Sequence, residues 1–111
     1  TLVAQGKTVF VDVTAEWCIT CKANKRLVLS DSSVVERLKE ENVIAMQADW
    51  TLPDERISNY LARFGRYGIP FNAAYGPGAP RGLTLPEILS KGRVLAVLDE
   101  AKKRQTSRNE E

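Results

Sequence analysis

Apolar positions along the chain come in patterned stretches separated by polar or Gly/Pro-rich breaks, and their periods predict the elements. Residues 8–14, Thr-Val-Phe-Val-Asp-Val-Thr, are apolar on both faces apart from Asp12. Such near-continuous apolarity predicts a central strand covered on both sides. A helix is predicted from about Cys18 to Val28 or Leu29. Ser30-Asp31-Ser32-Ser33 interrupts it, and Ser33 and Glu36 have capping-box spacing for a second segment to about Glu41, with Val34, Val35 and Leu38 on its inner face. Residues 43–49 predict a second strand, parallel to the first because a helical crossover joins them. After a loop over residues 50–54, Thr51 or Asp54 starts a helix to about Phe64 whose buried stripe is Ile57, Leu61 and Phe64. Gly65 and Gly68 end it.

Residues 71–75 predict a third strand, opened by Pro70, whose missing N–H is not needed at that position. Residues 76–82 predict a turn-rich connection. Residues 83–88 fit a helix start through Thr84 and Glu87, or an edge strand that tolerates Pro86; the edge strand is expected. Ser90 is expected to cap a last helix over about residues 91–103, packed through Val94, Leu95 and Leu98. One domain over residues 1–104 is expected, followed by a disordered, highly charged tail over 105–111. The order strand, helix, strand, helix, strand, strand, helix predicts an α/β architecture: a central mixed sheet of two parallel strands and an antiparallel hairpin, with helices on both faces.

Composition narrows the function more than the fold. With 111 residues, 43% of them hydrophobic, the chain suits one compact domain with a small core. A net charge of +2 is too mild to argue for nucleic acid, and no basic stripe interleaved with aromatics points to it. Lys22, Lys25, Arg26 and the cations from Lys102 onward read as a solvated surface and tail. No stretch approaches the roughly 20 apolar residues needed to span a bilayer, and the first residues lack the pattern of a signal peptide. The chain begins at Thr1 and enters its first strand within about ten residues, which fits a domain cut from a longer protein.

The candidate chemistry lies just after the first strand, in Trp17-Cys18-Ile19-Thr20-Cys21-Lys22, which holds both cysteines of the chain. Residues i and i+3 share a helix face, so two thiols so placed can close a small ring with little backbone movement. At the helix N-terminus, Cys18 gains thiolate stabilisation from unpaired N–H groups and the helix dipole, which makes it the candidate nucleophile. Cys21, one turn further in, is expected to be the more buried, resolving thiol. Trp17 offers an apolar platform beside the nucleophile. A tetrahedral zinc site is excluded by two cysteines and no histidine. A copper(I) site needs only two thiolates and stays open, as does a structural bridge, although such bridges usually close longer loops. Asp12 is either a solvated carboxylate near a strand end or a buried acid kept for use. Trp50 is read as packing over the active-site side or capping the core, and the first is expected.

Residues 11–22, Val-Asp-Val-Thr-Ala-Glu-Trp-Cys-Ile-Thr-Cys-Lys, resemble the active-site segment of thioredoxin-like proteins. With Ala48-Asp49-Trp50-Thr51, residues 64–70 (Phe-Gly-Arg-Tyr-Gly-Ile-Pro) and residues 75–80 (Tyr-Gly-Pro-Gly-Ala-Pro), the chain more narrowly resembles the C-terminal periplasmic domain of membrane thiol:disulfide interchange proteins of the DsbD and ScsB type. The resemblance covers about residues 6 to 103. It implies a thioredoxin-like three-layer sandwich and a protein-disulfide reductase. Catalysis would rest on Cys18, Cys21 and Asp12, the acid taking and returning the proton of Cys21. Trp17, Ile19, Thr20, Lys22, Ile69 and Pro70 would surround the site, Pro70 being cis and leaving the backbone of Ile69 free to pair with an extended substrate.

Three positions depart from the pattern. Lys25 stands where some relatives carry a second carboxylate, so acid/base control would rest on Asp12 alone. Ile19-Thr20 replaces the Gly-Pro of thioredoxin and leaves the potential open. The resemblance further implies no metal or organic cofactor beyond the Cys18–Cys21 disulfide. The domain would be a periplasmic monomer that receives electrons from a transmembrane partner domain of the same protein and passes them to periplasmic thiol proteins. A free-standing oxidase or isomerase, or a copper(I)-binding module, is the alternative.

Overall fold

The apolar run of β1 (Thr8–Thr14) forms the inner strand that its pattern predicts. It pairs in parallel with β2 (Val43–Asp49), from Thr8 opposite Val43 to Thr14 opposite Asp49, and antiparallel with β3 (Phe71–Gly76). β4 (Ala79–Thr84) completes a mixed sheet of order β2-β1-β3-β4. The computed structural model describes residues 4–103; the tail expected over residues 105–111 lies outside them.

Side chains alternate across a strand, and each sheet face buries its own cluster. On one face Phe10 and Ala74 pack with Val28, Val34, Leu85, Val94 and Leu98. These come from the active-site helix region, from α2 (Ser32–Leu38), from α4 (Lys91–Lys102) and from the chain leading into α4. On the other, Val13, Phe71 and Ala73 pack with Leu61, while Ile57 and Phe64 close over them. The helix there is α3 (Glu55–Ala62), which Asp54 caps by accepting the Arg56 N–H at 2.9 Å. Helices therefore cover both faces of the sheet, the architecture the pattern predicts.

The first helix covers the expected stretch, as α1 (Ile19–Asn24) running into a π-helical turn, Lys25–Leu29. Two later elements differ from expectation. The second segment is capped by Asp31 rather than Ser33, and it ends at Leu38. Asp31 keeps an extended backbone, its carboxylate accepts the Ser33 N–H at 3.0 Å, and Lys91 at the start of α4 pairs with its other oxygen at 2.9 Å. The last strand lies at Ala79–Thr84 rather than over residues 83–88. The turn at Pro77-Gly78 is tight enough to pair Gly76 with Ala79, and Gly82 takes a φ of +95° beneath the Tyr75 ring. Leu85 leaves the strand to be buried between sheet and helix.

Candidate active site

The chain leaves β1 through a turn closed by the Cys18 N–H donating to the Ala15 carbonyl at 3.1 Å. Cys18 is then the N-cap of α1, extended in backbone (φ −92°, ψ 101°), and its Sγ accepts the Cys21 N–H at 3.1 Å. The sulfur thus occupies the place where a helix start offers free donors and positive potential. Cys18 and Cys21 are joined as a disulfide, their Cα atoms 5.2 Å apart. Burial does not separate the two as expected. Cys18 is 6% exposed and Cys21 5%, because in the closed ring both sulfurs sit against Ala15 and Ile69. The difference between them is positional: the capping sulfur is Cys18.

Ile69 packs on this cluster, and the Ile69–Pro70 peptide, which opens β3, is cis. Pro70 is buried. Trp17 and Ile19, 59% and 82% exposed, flank the disulfide in sequence, while Thr20 and Lys22 lie on the solvent side of α1. A buried disulfide is therefore bordered by exposed apolar side chains.

Asp12 lies mid-strand in β1 and points to the same sheet face as Phe10. Its register partner on β3 is Asn72, which is 1% exposed and donates from Nδ2 to Asp12 Oδ1 at 2.8 Å. Burial pushes the Asp12 carboxyl above its ordinary value, with the Asn72 hydrogen bond and the Lys25 ammonium pulling partly back. Lys25 and Asp12 line the same small cavity below the π-helical turn. Lys25 thus acts on the acid rather than standing in for one.

The sequence reading did not single out three residues around the site. Asn24, buried at the end of α1, donates to the Glu87 carbonyl at 2.8 Å and accepts the Leu89 N–H at 3.1 Å, which pins the active-site helix to the chain before α4. Asn72 partners Asp12. Thr51, read as a helix start and as part of the Ala48–Thr51 resemblance but given no role at the site, bonds the turn before Cys18, with the Glu16 N–H donating to its Oγ1 at 2.9 Å and the Trp17 indole to its carbonyl at 3.1 Å. The available signal was a polar residue inside an apolar stretch at position 72; Asn24, between lysines and an arginine, carried none. Trp50 packs with Val13, Leu61 and Phe71 on the α3 side, not over the disulfide, while its main-chain N–H continues the β1–β2 pairing to the Thr14 carbonyl at 2.7 Å.

A cavity of 720 Å³ opens beside α3, lined by Val11, Met46, Ala48, Ile57 and Tyr60 among others. Neither cysteine reaches it, so size alone does not mark the reactive site. Among the described residues no three His, Cys, Asp or Glu side chains converge as a metal site would need, and no helix is long and apolar enough to cross a membrane.

A family model described as thioredoxin-like matches residues 2–77. The chain belongs to this thioredoxin-like family. Among curated relatives it is similar to the thiol:disulfide interchange protein DsbD of Yersinia pestis (strain Pestoides F), 36% identical over 67 residues, covering 60% of this chain and 11% of that protein. DsbD of Pseudoalteromonas atlantica is 39% identical over 69 residues, again 60% of this chain and 11% of the relative. The chain thus spans about a tenth of the length of these relatives. The fold superposes on the C-terminal domain of Neisseria meningitidis DsbD in its reduced form with a TM-score of 0.68 and 22% identity, covering 86% of this chain and 81% of that one. A Cys-x-x-Cys disulfide at a helix N-terminus of this fold is a centre for thiol–disulfide exchange.

Proposed function

We propose that the domain is the reductant in protein thiol–disulfide exchange, passing two electrons from a membrane-embedded donor domain to periplasmic thiol proteins. The observation that carries this reading is the Cys18 sulfur at the N-cap of α1, ringed with Cys21 and bordered by exposed Trp17 and Ile19. The kinship with thiol:disulfide interchange proteins supports exchange chemistry at this pair.

In the reduced form, the Cys18 thiolate attacks one sulfur of a partner disulfide, forming a mixed disulfide and expelling the other partner sulfur as a thiolate. Cys21 gives its proton to Asp12, and the resulting thiolate attacks the Cys18 sulfur. The Cys18–Cys21 bond forms, the second partner thiolate leaves, and the partner has gained two electrons. Asp12 can take that proton because burial raises its affinity for it. The backbone of Ile69, packed on the cysteine cluster, would hold the incoming segment in extended form. The sulfurs carry both electrons, so the reaction calls for no organic cofactor or metal, and a monomer suffices.

Equilibration against glutathione redox buffers tests the direction. Related dithiols span about −270 to −120 mV. A potential toward the reducing end is expected; one near the oxidising end would make the domain an oxidase.

A further inference from the structure

β1 and β2 run parallel and end together, with Thr14 opposite Asp49, so the turn that leads to Cys18 and the loop that leads to α3 leave the sheet side by side. Four hydrogen bonds meet there on Thr51. Its N–H donates to Asp49 Oδ1 at 2.8 Å and its hydroxyl donates to the same oxygen at 2.5 Å. The Glu16 N–H donates to its Oγ1 at 2.9 Å, and the Trp17 Nε1–H donates to its carbonyl at 3.1 Å.

The polarity of this arrangement is fixed by chemistry. A threonine hydroxyl has one proton, and a carboxylate can only accept, so the proton goes to Asp49 and a lone pair is left for the Glu16 N–H. The two bonds from Thr51 hold the Asp49 carboxyl below its usual range, keeping it ionised as the acceptor. Thr51 therefore grips the residue pair before the nucleophile twice, once by main chain at Glu16 and once by side chain at Trp17. The indole, 59% exposed, is tied to the Thr51 carbonyl by that one bond.

We propose that Thr51 is a positioning residue for exchange with protein substrates: by holding the Glu16–Trp17 turn it presents the Trp17 ring beside Cys18 as a pre-oriented docking platform. A platform ordered in advance lowers the ordering cost of association. It leaves the sulfur chemistry to Cys18, Cys21 and Asp12. The inference rests on exchange chemistry at Cys18–Cys21 and is indifferent to the preferred direction of electron flow.

The test is single-turnover reduction of insulin by the pre-reduced protein at increasing insulin concentration. Thr51→Val removes the hydroxyl at nearly constant volume. It should raise the half-saturating insulin concentration about fivefold and leave the limiting rate within about twofold, as loss of pre-organisation predicts. Thr51→Ser should restore the wild-type value. In a Trp17→Ala background, Thr51→Val should add nothing, since there is no platform left to hold. Asp49→Asn, which weakens the acceptor but leaves Thr51 in place, should move half-saturation in the same direction by less. An unchanged half-saturation in Thr51→Val, a loss confined to the limiting rate, or a full effect persisting without Trp17 would overturn the proposal. A wild-type protein inert toward insulin would instead remove the exchange reading itself, and with it any role for Thr51.

Discussion

Asp12 shows how one polar residue in an apolar strand can be read and also underread. Its presence in Val-Phe-Val-Asp-Val stood out in sequence because a carboxylate there is costly to desolvate. Its partner did not stand out, since Asn72 meets Asp12 only through the antiparallel register of β1 and β3. The substitution Asp12→Asn separates the two consequences of burial. Exchange with a protein disulfide should slow by about 100-fold, the lower range for losing a positioned base, as stopped-flow kinetics can measure. The folded protein should become more stable at neutral pH, because the amide has no charge to desolvate. The sign with pH follows from the direction of the shift. The folded state holds the proton above the ordinary value of 3.8, so ionising Asp12 costs stability. That cost is absent below about 3.8, grows as pH rises through the folded pKa and is complete above it. Denaturant melts of wild type and Asp12→Asn should therefore converge toward acid pH and separate toward neutral pH.

At the scale of elements, α1 is too short to stand alone, since isolated helices of this length are marginal in water. It is held by the disulfide at one end and by Asn24 at the other. Asn24→Ala leaves the Glu87 carbonyl and Leu89 N–H without their buried partner, and urea unfolding should show a loss of about 2 kcal/mol. The β3–β4 turn is equally constrained. A Cβ on Gly76 would lie 2.2 Å from the Ala101 carbonyl oxygen of α4, so Gly76→Ala should cost about 1–3 kcal/mol by forcing helix and hairpin apart. Such contacts explain where the element boundaries went wrong. Ser33 and Glu36 had the spacing of a capping box, yet Asp31 takes the role with the help of Lys91, sixty residues away in sequence. The glycines and prolines of residues 76–82 read as a turn, yet most of that stretch is edge strand, where such residues are tolerated once α4 supports the hairpin. Local pattern specifies periodicity well; it does not carry long-range partners.

For the molecule as a whole, a mixed sheet with β1 inside it and helices on both faces was legible because β1 is apolar on both sides and the crossover to β2 is helical, whereas the strand order came from the structure. The reactive pair was legible because both cysteines of the chain fall three apart at a strand-to-helix junction. What was not legible is the support around that pair: Thr51 meets the Glu16–Trp17 turn, Asn24 meets Glu87 and Leu89, and Asn72 meets Asp12 only through tertiary contact. The central claim, that Cys18 attacks and Cys21 resolves in exchange with protein partners, has one direct test. Cys21→Ser removes the second step alone, whereas Cys18→Ser removes the first. Non-reducing gels of cells expressing each variant should show dithiothreitol-sensitive covalent complexes for Cys21→Ser and none for Cys18→Ser. Complexes trapped equally by both variants, or by neither, would contradict the account.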